Sequence, residues 1–363
     1  MASNSEFYRG KRRRSGPAFI ISLVVFTLLA LTVLLFYGLQ KYIVIADSGL
    51  RLEIPFLSDG SASSVDNEPV FEKVDAELII GEPDYSNVKA TAGAELTELR
   101  ALFVPADRIN ADSINSAAQR IGDGNALMLE LKPASGMLAY RSGVDTAVSY
   151  GTTGTTELAP IVKSLKDKGL YLVASISCCV DDTLADRYPR LTLRTDKGSV
   201  YRDEVGTWLD PYAPELRSYI AAICAELSDM GFDEVVLTNI RHPSPSDGTK
   251  FVYSGSTTGA PTPMSAVSGF ALGVTRALRS DGVKLSAMIN GADTIPNGKN
   301  DANGQNVELF CKIFDRIYCN CTVDGAAAEY ERASRFVEYG EAKYRFVPVC
   351  YGVAPTTCWV KTE

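Results

Sequence analysis

Residues 207–243 read TWLDPYAPELRSYIAAICAELSDMGFDEVVLTNIRHP, and this stretch decides the fold of the chain. Asp210 is a good helix N-cap, and Pro211 suits the first helical position because its missing N–H would be unpaired there. Apolar residues then recur at helical spacing as far as Gly231, which can end a helix at positive φ. The apolar run at 235–237 is typical of a parallel strand covered on both faces. The stretch therefore predicts one unit of helix, turn and buried strand.

The same alternation recurs along the rest of the chain. Apolar runs predict strands at 102–104, 126–132, 171–177, 234–240, 283–289, 316–319 and 346–351. Strands that alternate with helices favour right-handed βαβ crossovers and an all-parallel sheet. Seven or eight such units favour a closed barrel over an open sheet, so we expect an α/β chain with a (β/α)8 TIM-type barrel. Only residues 358–361 remain to supply an eighth strand, so the eighth unit is expected to be short or incomplete.

The beginning of the chain predicts a membrane anchor. Residues 18–37 are uncharged and apolar, which is long enough to cross a bilayer core of roughly 30 Å. Four basic residues at 11–14 precede this run, so the positive-inside rule places the N-terminus in the cytoplasm. A cleaved signal peptide is the alternative, but no small-x-small cleavage site follows before Lys41.

These features give a single-pass protein of the cell membrane with an extracellular C-terminal domain. The expected parts are a cytoplasmic tail at 1–17, a transmembrane helix at 18–39, an extracellular stalk at 40–95 and the barrel at 96–363.

Composition excludes several kinds of function. The net charge is −8, and without a basic stripe to replace phosphate counterions the chain is not expected to bind nucleic acid. His242 is the single histidine, so a metal site with several imidazoles is excluded. The eight cysteines lack a paired C-x-x-C pattern. We expect no cofactor and no metal, and interpret the cysteines mainly as small buried side chains, with one or two disulfides near the strand ends as the alternative.

Several motifs resemble those of the bacterial "putative glycoside hydrolase domain" family, whose members are α-amylase-like (β/α)8 barrels. GFDEVVLTNIRHP at 231–243 is similar to the family's fourth-strand motif, usually Gly-Phe-Asp-Glu-Ile-x-Phe-Asp-Tyr-Val-Arg-Phe-Pro. NALMLELKPASGMLAY at 125–140 resembles the second-strand motif, and residues 171–219 resemble the third strand and its long loop. The resemblance implies a barrel that hydrolyses O-glycosyl bonds in polysaccharides or oligosaccharides.

Two acidic positions of that family are substituted in this chain. Thr238 stands where the fourth-strand motif has its central Asp, and Met288 stands at the corresponding position of the fifth strand. Glycoside hydrolysis normally needs two carboxyl groups roughly 5 to 9.5 Å apart. The substitutions therefore predict weak or lost hydrolysis, and whether the chain is an enzyme stays open.

The remaining candidates lie at the predicted carboxyl ends of the strands. Glu130 and Lys132 share parity with Met128, so we expect all three to point into the barrel. Glu130 and Asp181 are the candidate catalytic carboxylates. The candidate substrate-binding residues are Lys132, Arg241, His242, Asn239, Asn290, Tyr318 and Trp208. Asp182, Asp210 and Asp293 are further acids, for which surface, cap and turn roles are the alternatives.

Two hypotheses follow for function. The first is a membrane-anchored, extracellular glycoside hydrolase-like protein that acts on or binds cell-envelope or environmental glycans. The second is a non-enzymatic glycan-binding or envelope scaffold module. Two of the candidate carboxyl groups within about 10 Å of each other across the barrel mouth would favour an enzyme. An ion pair between Glu130 and Lys132 would favour the binding module.

Overall fold

The computed structural model describes residues 21, 24–30, 43–46, 49–52, 95–253, 262–278, 282–290, 298–337 and 341–362. The chain forms two compact units, Met1–Glu77 and Leu78–Glu363. In the first unit, residues 24–30 are helical, and Ile43–Ala46 pairs antiparallel with Gly49–Leu52. Within the described ranges, no helix is both long and apolar enough to span a membrane. Most of the predicted span at 18–39 lies outside those ranges, and the domain boundaries stay predictions.

The second unit contains a closed barrel of eight strands. In chain order these are β1 Arg100–Val104, β2 Ala126–Lys132, β3 Tyr171–Ser177, β4 Glu234–Thr238, β5 Lys284–Ile289, β6 Ile317–Asn320, β7 Phe346–Tyr351 and β8 Trp359–Thr362. Each strand pairs in parallel with the next, and β8 closes the circle against β1. The predicted parallel (β/α)8 barrel is confirmed, and its eighth strand is present and paired on both sides.

Helices occupy the connections between strands from β1 to β7, as the apolar periodicity predicts, whereas residues 352–358 between β7 and β8 contain no helix. They are α1 Ala111–Gln119, α2 Asp145–Tyr150, α3 Ala159–Asp167, α4 Asp182–Arg187, α5 Pro214–Met230, α6 Pro263–Ala277, α7 Val307–Ile313, α8 Ala326–Ser334 and α9 Ala342–Arg345. Short 3₁₀ turns lie at Ala106–Arg108 and Pro189–Leu191. Two small antiparallel pairs join Arg194–Thr195 to Phe251–Val252 and Lys299–Asn300 to Gln305–Asn306.

The predicted start of α5 was wrong by three residues. The helix begins at Pro214, and its N-cap is Ala213 rather than Asp210. The carboxylate of Asp210 instead accepts a hydrogen bond of 2.8 Å from the N–H of Tyr212, which is an Asx turn ahead of the helix. Pro214 takes the first helical position for the reason given for Pro211.

One cluster of side chains fills the barrel interior. The strands separate this cluster from a second apolar layer, which lies between the strands and the helices. The inward cluster consists of Leu99, Ala101, Ala126, Met128, Val173, Val236, Tyr318, Val347, Val349, Cys358 and Val360. At the carboxyl ends of the strands, the inward-facing Phe103, Glu130, Thr238 and Met288 are only half-buried. This end of the barrel is therefore open to solvent, as barrel active sites require.

The amino end of the barrel is closed by a buried polar network around Glu234. The Glu234 carboxylate accepts hydrogen bonds from the hydroxyls of Ser286 (2.6 Å), Tyr318 (2.9 Å) and Tyr171 (2.9 Å). It also forms an ion pair with the buried guanidinium of Arg316. Each carboxylate oxygen has two partners, so the charge is fully compensated without water.

Candidate functional site

The register of β2 changes between its two charged residues. Glu130 pairs with Ser175 of β3, whereas Lys132 pairs with the next residue of β3, Ile176. Strand β2 therefore contains one extra residue at this point, which is a β-bulge and breaks the two-residue alternation of side chains. The parity on which Glu130 and Lys132 were predicted to share a face does not hold, and the two residues form no ion pair.

Lys132 instead forms an ion pair with Asp181. Its Nζ lies 2.7 Å from Asp181 Oδ2, and both side chains are fully buried. The same ammonium donates to the carbonyl of Ser177 at 2.9 Å. Asp181 Oδ1 accepts a 2.6 Å hydrogen bond from the N–H of Leu184 and so caps α4. Asp181, predicted as a catalytic carboxylate, is thus neutralised inside the protein.

Gly136 makes room for this ion pair. Its backbone has a φ of +91°, and a Cβ at this position would lie 1.7 Å from Asp181 Oδ1. Because any larger side chain would displace the carboxylate, only glycine is compatible with the Lys132–Asp181 contact.

Glu130 faces the open end of the barrel with few partners. Its Oε2 accepts one hydrogen bond, of 3.0 Å, from the N–H of Ala106 in the turn after β1. Burial raises the pKa of Glu130, the Ala106 hydrogen bond lowers it, and the nearby charge of Asp107 raises it again. A half-buried carboxyl group with a raised pKa can hold a proton for transfer to a leaving group.

The end of β4 carries Asn239 in an unusual backbone conformation. Its φ is +49°, the single positive value among the described residues other than glycine. Its Nδ2 donates to Ser177 Oγ at 3.0 Å, and Ser177 Oγ donates in turn to the carbonyl of Val180 at 2.7 Å. Asparagine tolerates this left-handed region better than most residues. Asn239 therefore ties the end of β4 to the end of β3.

His242 is packed into an aromatic wall rather than exposed at the mouth. Its Nδ1 lies 2.8 Å from the carbonyl oxygen of Pro243, and its Nε2 lies 3.1 Å from the hydroxyl of Tyr253. The ring of Phe251 packs edge-on at 4.8 Å. Burial lowers the pKa of His242 to about 4, so the imidazole is neutral at physiological pH.

The guanidinium of Arg241 stacks on the indole of Trp208, 4.8 Å from the ring centre. Trp208 is fully buried. Its indole N–H, although buried, has no hydrogen-bond partner among the described residues. The pair forms part of the wall around the carboxyl end, and Trp208 offers no open face for a sugar ring.

The other predicted residues are dispersed. The N–H of the half-buried Asn290 donates to Gln305 Oε1 at 2.9 Å. Tyr318 is fully buried, and its hydroxyl donates to Glu234 at the closed amino end. It was predicted to bind substrate at the opposite end of the barrel. Asp182 accepts hydrogen bonds from Thr207 and pairs with Arg202 at 3.2 Å. Asp293 lies outside the described residues.

The structure therefore brings together Lys132, Asp181 and Asn239 around Ser177, and leaves Glu130 apart from them. Ser177 was missed from the sequence, although a serine at the end of an apolar strand was its visible signal. Tyr351 was also missed. It ends β7, and its side chain is 85% exposed. Among the described residues, no cluster of His, Cys, Asp and Glu could hold a metal ion.

Comparisons with known proteins agree with this architecture. The family described as "Putative glycosyl hydrolase domain" matches residues 101–320, which confirms the family predicted from the motifs. Among solved structures, the PgaB (BpsB) glycoside hydrolase domain from Bordetella bronchiseptica is similar, with a TM-score of 0.50 and 12% identity over 70% of this chain and 84% of that one. A hypothetical protein from Ruminiclostridium thermocellum matches with a TM-score of 0.45 and 22% identity over 51% of this chain and 96% of that one. No curated protein matches the chain.

Proposed function

The chain belongs to the family described as "Putative glycosyl hydrolase domain", and on that premise we propose that it is a membrane-anchored, extracellular glycan-binding barrel with weak or lost hydrolytic activity. Its ligands would be polysaccharides or oligosaccharides of the cell envelope or the environment. The observation that carries the proposal is the state of the carboxyl groups at the open end of the barrel.

Two carboxyl groups are needed for ordinary glycoside hydrolysis. By the resemblance of the strand motifs, Thr238 and Met288 stand where the family is expected to have its two acidic residues. Asp181 is neutralised by Lys132, and Asp182 holds the backbone and hydroxyl of Thr207. The fully buried Asp210 forms the turn before α5. The buried Asp181 and Asp210 cannot reach a substrate without breaking the contacts that they make, and the partly exposed Asp182 is held by Thr207 and Arg202.

Glu130 is then the candidate acid that faces the mouth, and within the described part of the chain it accepts a single hydrogen bond. One carboxyl group can protonate a leaving oxygen, but hydrolysis also needs a nucleophile or a base that activates water. The open end still offers groups for binding a sugar. Thr238 and Glu130 are half-buried polar side chains, Asn320 is an exposed amide at the end of β6, and Tyr351 is an exposed aromatic ring. Aromatic and polar groups in this combination are typical of ligand pockets.

Membrane anchoring is part of the same proposal. Residues 24–30 are helical, and Val24, Val25, Phe26, Leu28 and Leu29 are all exposed. Exposed apolar side chains on consecutive turns are costly in water and suit a lipid environment. We expect the chain to stay with the membrane after alkaline carbonate washing, and protease added outside intact cells to digest the barrel. Release by carbonate, or protection from the protease, would contradict the anchor or its orientation.

The test of function uses the full chain in detergent. We expect binding on a glycan array without turnover of the bound glycans. Glu130→Gln should weaken binding at most modestly, whereas Glu98→Gln, at an exposed glutamate near the amino end, is the matched control and should change nothing. Failure to bind any glycan would contradict the proposal.

A second candidate function is residual hydrolysis with Glu130 as the general acid. The raised pKa of Glu130 and the neighbouring charge of Asp107 favour it. In that case the rate should fall as pH rises through the Glu130 pKa, because the proton needed by the leaving group is then lost. Glu130→Gln should reduce turnover by about 10²-fold or more, and Asp107→Asn would show whether this exposed carboxylate supplies the base. Turnover that survives Glu130→Gln would exclude Glu130 as the acid.

A further inference from the structure

Three thiols meet at the carboxyl ends of β6 and β7, on the outer side of the barrel wall. Cys319 lies on β6, Cys321 follows β6 directly, and Cys350 lies on β7. The Sγ atoms of Cys321 and Cys350 are 3.6 Å apart and are not bonded to each other. Nothing in the glycan site makes use of this cluster.

The backbone places Cys321 and Cys350 directly across neighbouring strands. Asn320 pairs with Val349 in the parallel register, and the N–H of Cys321 donates to the carbonyl of Val349 at 3.1 Å. The two cysteines therefore occupy the next position of the same register. Neighbouring strands are about 4.8 Å apart, which is within the Cα separation of about 4.4 to 6.8 Å that a disulfide requires. Side-chain rotation is enough to bring the sulfurs into bonding distance.

The two thiols differ in the way that exchange chemistry needs. Cys321 is half-buried and can be reached by a small reagent, whereas Cys350 is buried. Hydrogen bonding from Cys319, and to a smaller extent from Cys350, lowers the pKa of Cys321 to about 7, although burial and, less strongly, the charge of Glu329 of α8 oppose its ionisation. Burial raises the pKa of Cys350 to about 12. A thiol with a pKa near ambient pH is the best attacking group.

We propose that Cys321 and Cys350 are a disulfide-forming site, oxidised by thiol–disulfide exchange with a small-molecule disulfide. The Cys321 thiolate attacks one sulfur of that disulfide, whose S–S bond breaks and releases one thiolate. Cys350 gives its proton to solvent and attacks the Cys321 sulfur, which releases the second thiolate. The two cysteines lose two electrons and two protons, and the small disulfide is reduced to two thiols. This chemistry is independent of the proposed glycan function.

A disulfide between Cys321 and Cys350 would link the ends of β6 and β7 covalently and close a loop that contains α8 and α9. Closing a loop of this length restricts the unfolded chain. Oxidation should therefore raise the Tm by several degrees, and this rise should be absent in Cys350→Ser.

Peptide mapping of the full chain tests the assignment. Trypsin cleavage at Arg316, Arg332, Arg345 and Lys361 gives peptides 317–332 and 346–361, each with two cysteines. After treatment with oxidised glutathione and blocking of free thiols, we expect these two peptides to be joined. The crosslink should persist in Cys358→Ser, which is the matched control, and should be lost in Cys321→Ser and Cys350→Ser. Cys319→Ser alters the hydrogen bond to Cys321 and should change only the rate at which the crosslink forms.

Three outcomes would overturn the proposal. They are the absence of the crosslink in the folded wild-type chain, its persistence without Cys321, and an accumulating glutathione adduct on Cys321 that Cys350 never resolves. Alkylation of the untreated wild type requires no variant and guards against misfolding of the mutants. Among the eight cysteines, Cys321 should react fastest with iodoacetamide at neutral pH, and equal or slower reaction would contradict its assigned role.

Discussion

The two ends of the barrel each hold an inward-facing glutamate, and the two residues differ in burial and in the number of their partners. At the amino end Glu234 is fully buried and is held by three hydroxyls and the guanidinium of Arg316. At the carboxyl end Glu130 is half-buried and accepts one backbone hydrogen bond. Hydrogen-bond and ion-pair partners, and not residue type or strand position, therefore decide whether a barrel carboxylate is structural or available for chemistry.

The largest effect should follow from removing the compensated charge at the closed end. Glu234→Gln leaves the buried guanidinium of Arg316 without its counter-ion, and breaking a buried pair in this way costs about 3 to 5 kcal/mol. Denaturant unfolding of the full chain, with Glu98→Gln as the exposed control, measures the loss. A cost below about 1 kcal/mol would contradict a structural role for Glu234, because surface substitutions have effects of that size.

A slightly smaller effect is expected at the Lys132–Asp181 pair. Lys132→Met leaves the buried Asp181 carboxylate without its counter-ion. Because the N–H of Leu184 still donates to that carboxylate, the free energy of unfolding should fall by about 3 kcal/mol. Adding Asp181→Asn removes the uncompensated charge and keeps a side-chain oxygen to cap α4, so the double variant should recover part of the lost stability. If the single and double variants unfold alike, the ion pair does not act as a unit.

His242 gives an effect that depends on pH. The folded protein keeps this imidazole neutral down to about pH 4, whereas the unfolded chain protonates near 6.5. The stabilisation is therefore fully present above pH 6.5 and is lost as the pH falls through about 4, by roughly 3 kcal/mol in total. In His242→Gln, which cannot titrate, this part of the acid-side slope should disappear. An unchanged slope would show that carboxylates account for all of it.

The smallest effect on stability should come from Glu130. Its pKa is raised in the folded protein, so the wild type loses stability as pH rises from the unfolded value through the folded one. Glu130→Gln does not ionise and should equal or slightly exceed the wild type at neutral pH, with a change of about 0.5 kcal/mol or less. A marked destabilisation would instead make Glu130 a structural residue like Glu234.

Most of the fold could be predicted from the sequence because its signals are local. Buried parallel strands are apolar runs, and Gly231 ends α5 in the left-handed conformation as expected. The start of α5 was misplaced because the Asx turn at Asp210 and the helix cap compete for the same residue types. The family was identified from the strand-end motifs, which lie inside the matched range.

The site was harder to predict because its contacts are distant along the chain. Asp181 lies far in sequence from Lys132, and no local pattern marks it as the partner. The sequence places Tyr318 on the sixth strand but could not tell which end of the barrel its hydroxyl reaches. The alternation of side chains along a strand holds only while the strand is regular. The extra residue of β2 lies between Glu130 and Lys132, so the two side chains do not share a face as predicted.

The bulge in β2 has a consequence for engineering this barrel. The inserted residue shifts the register of the strand by one position: residues up to Glu130 keep the alternation of the barrel wall, whereas Lys132, the last residue of β2, contacts Asp181 at the N-cap of α4. Transplanting an acid–base pair from a related hydrolase by simple alignment would aim one of its members in the wrong direction. The positions for such a graft have to be chosen from the register after the bulge. Deleting Leu131 would be the direct way to restore a regular register in β2.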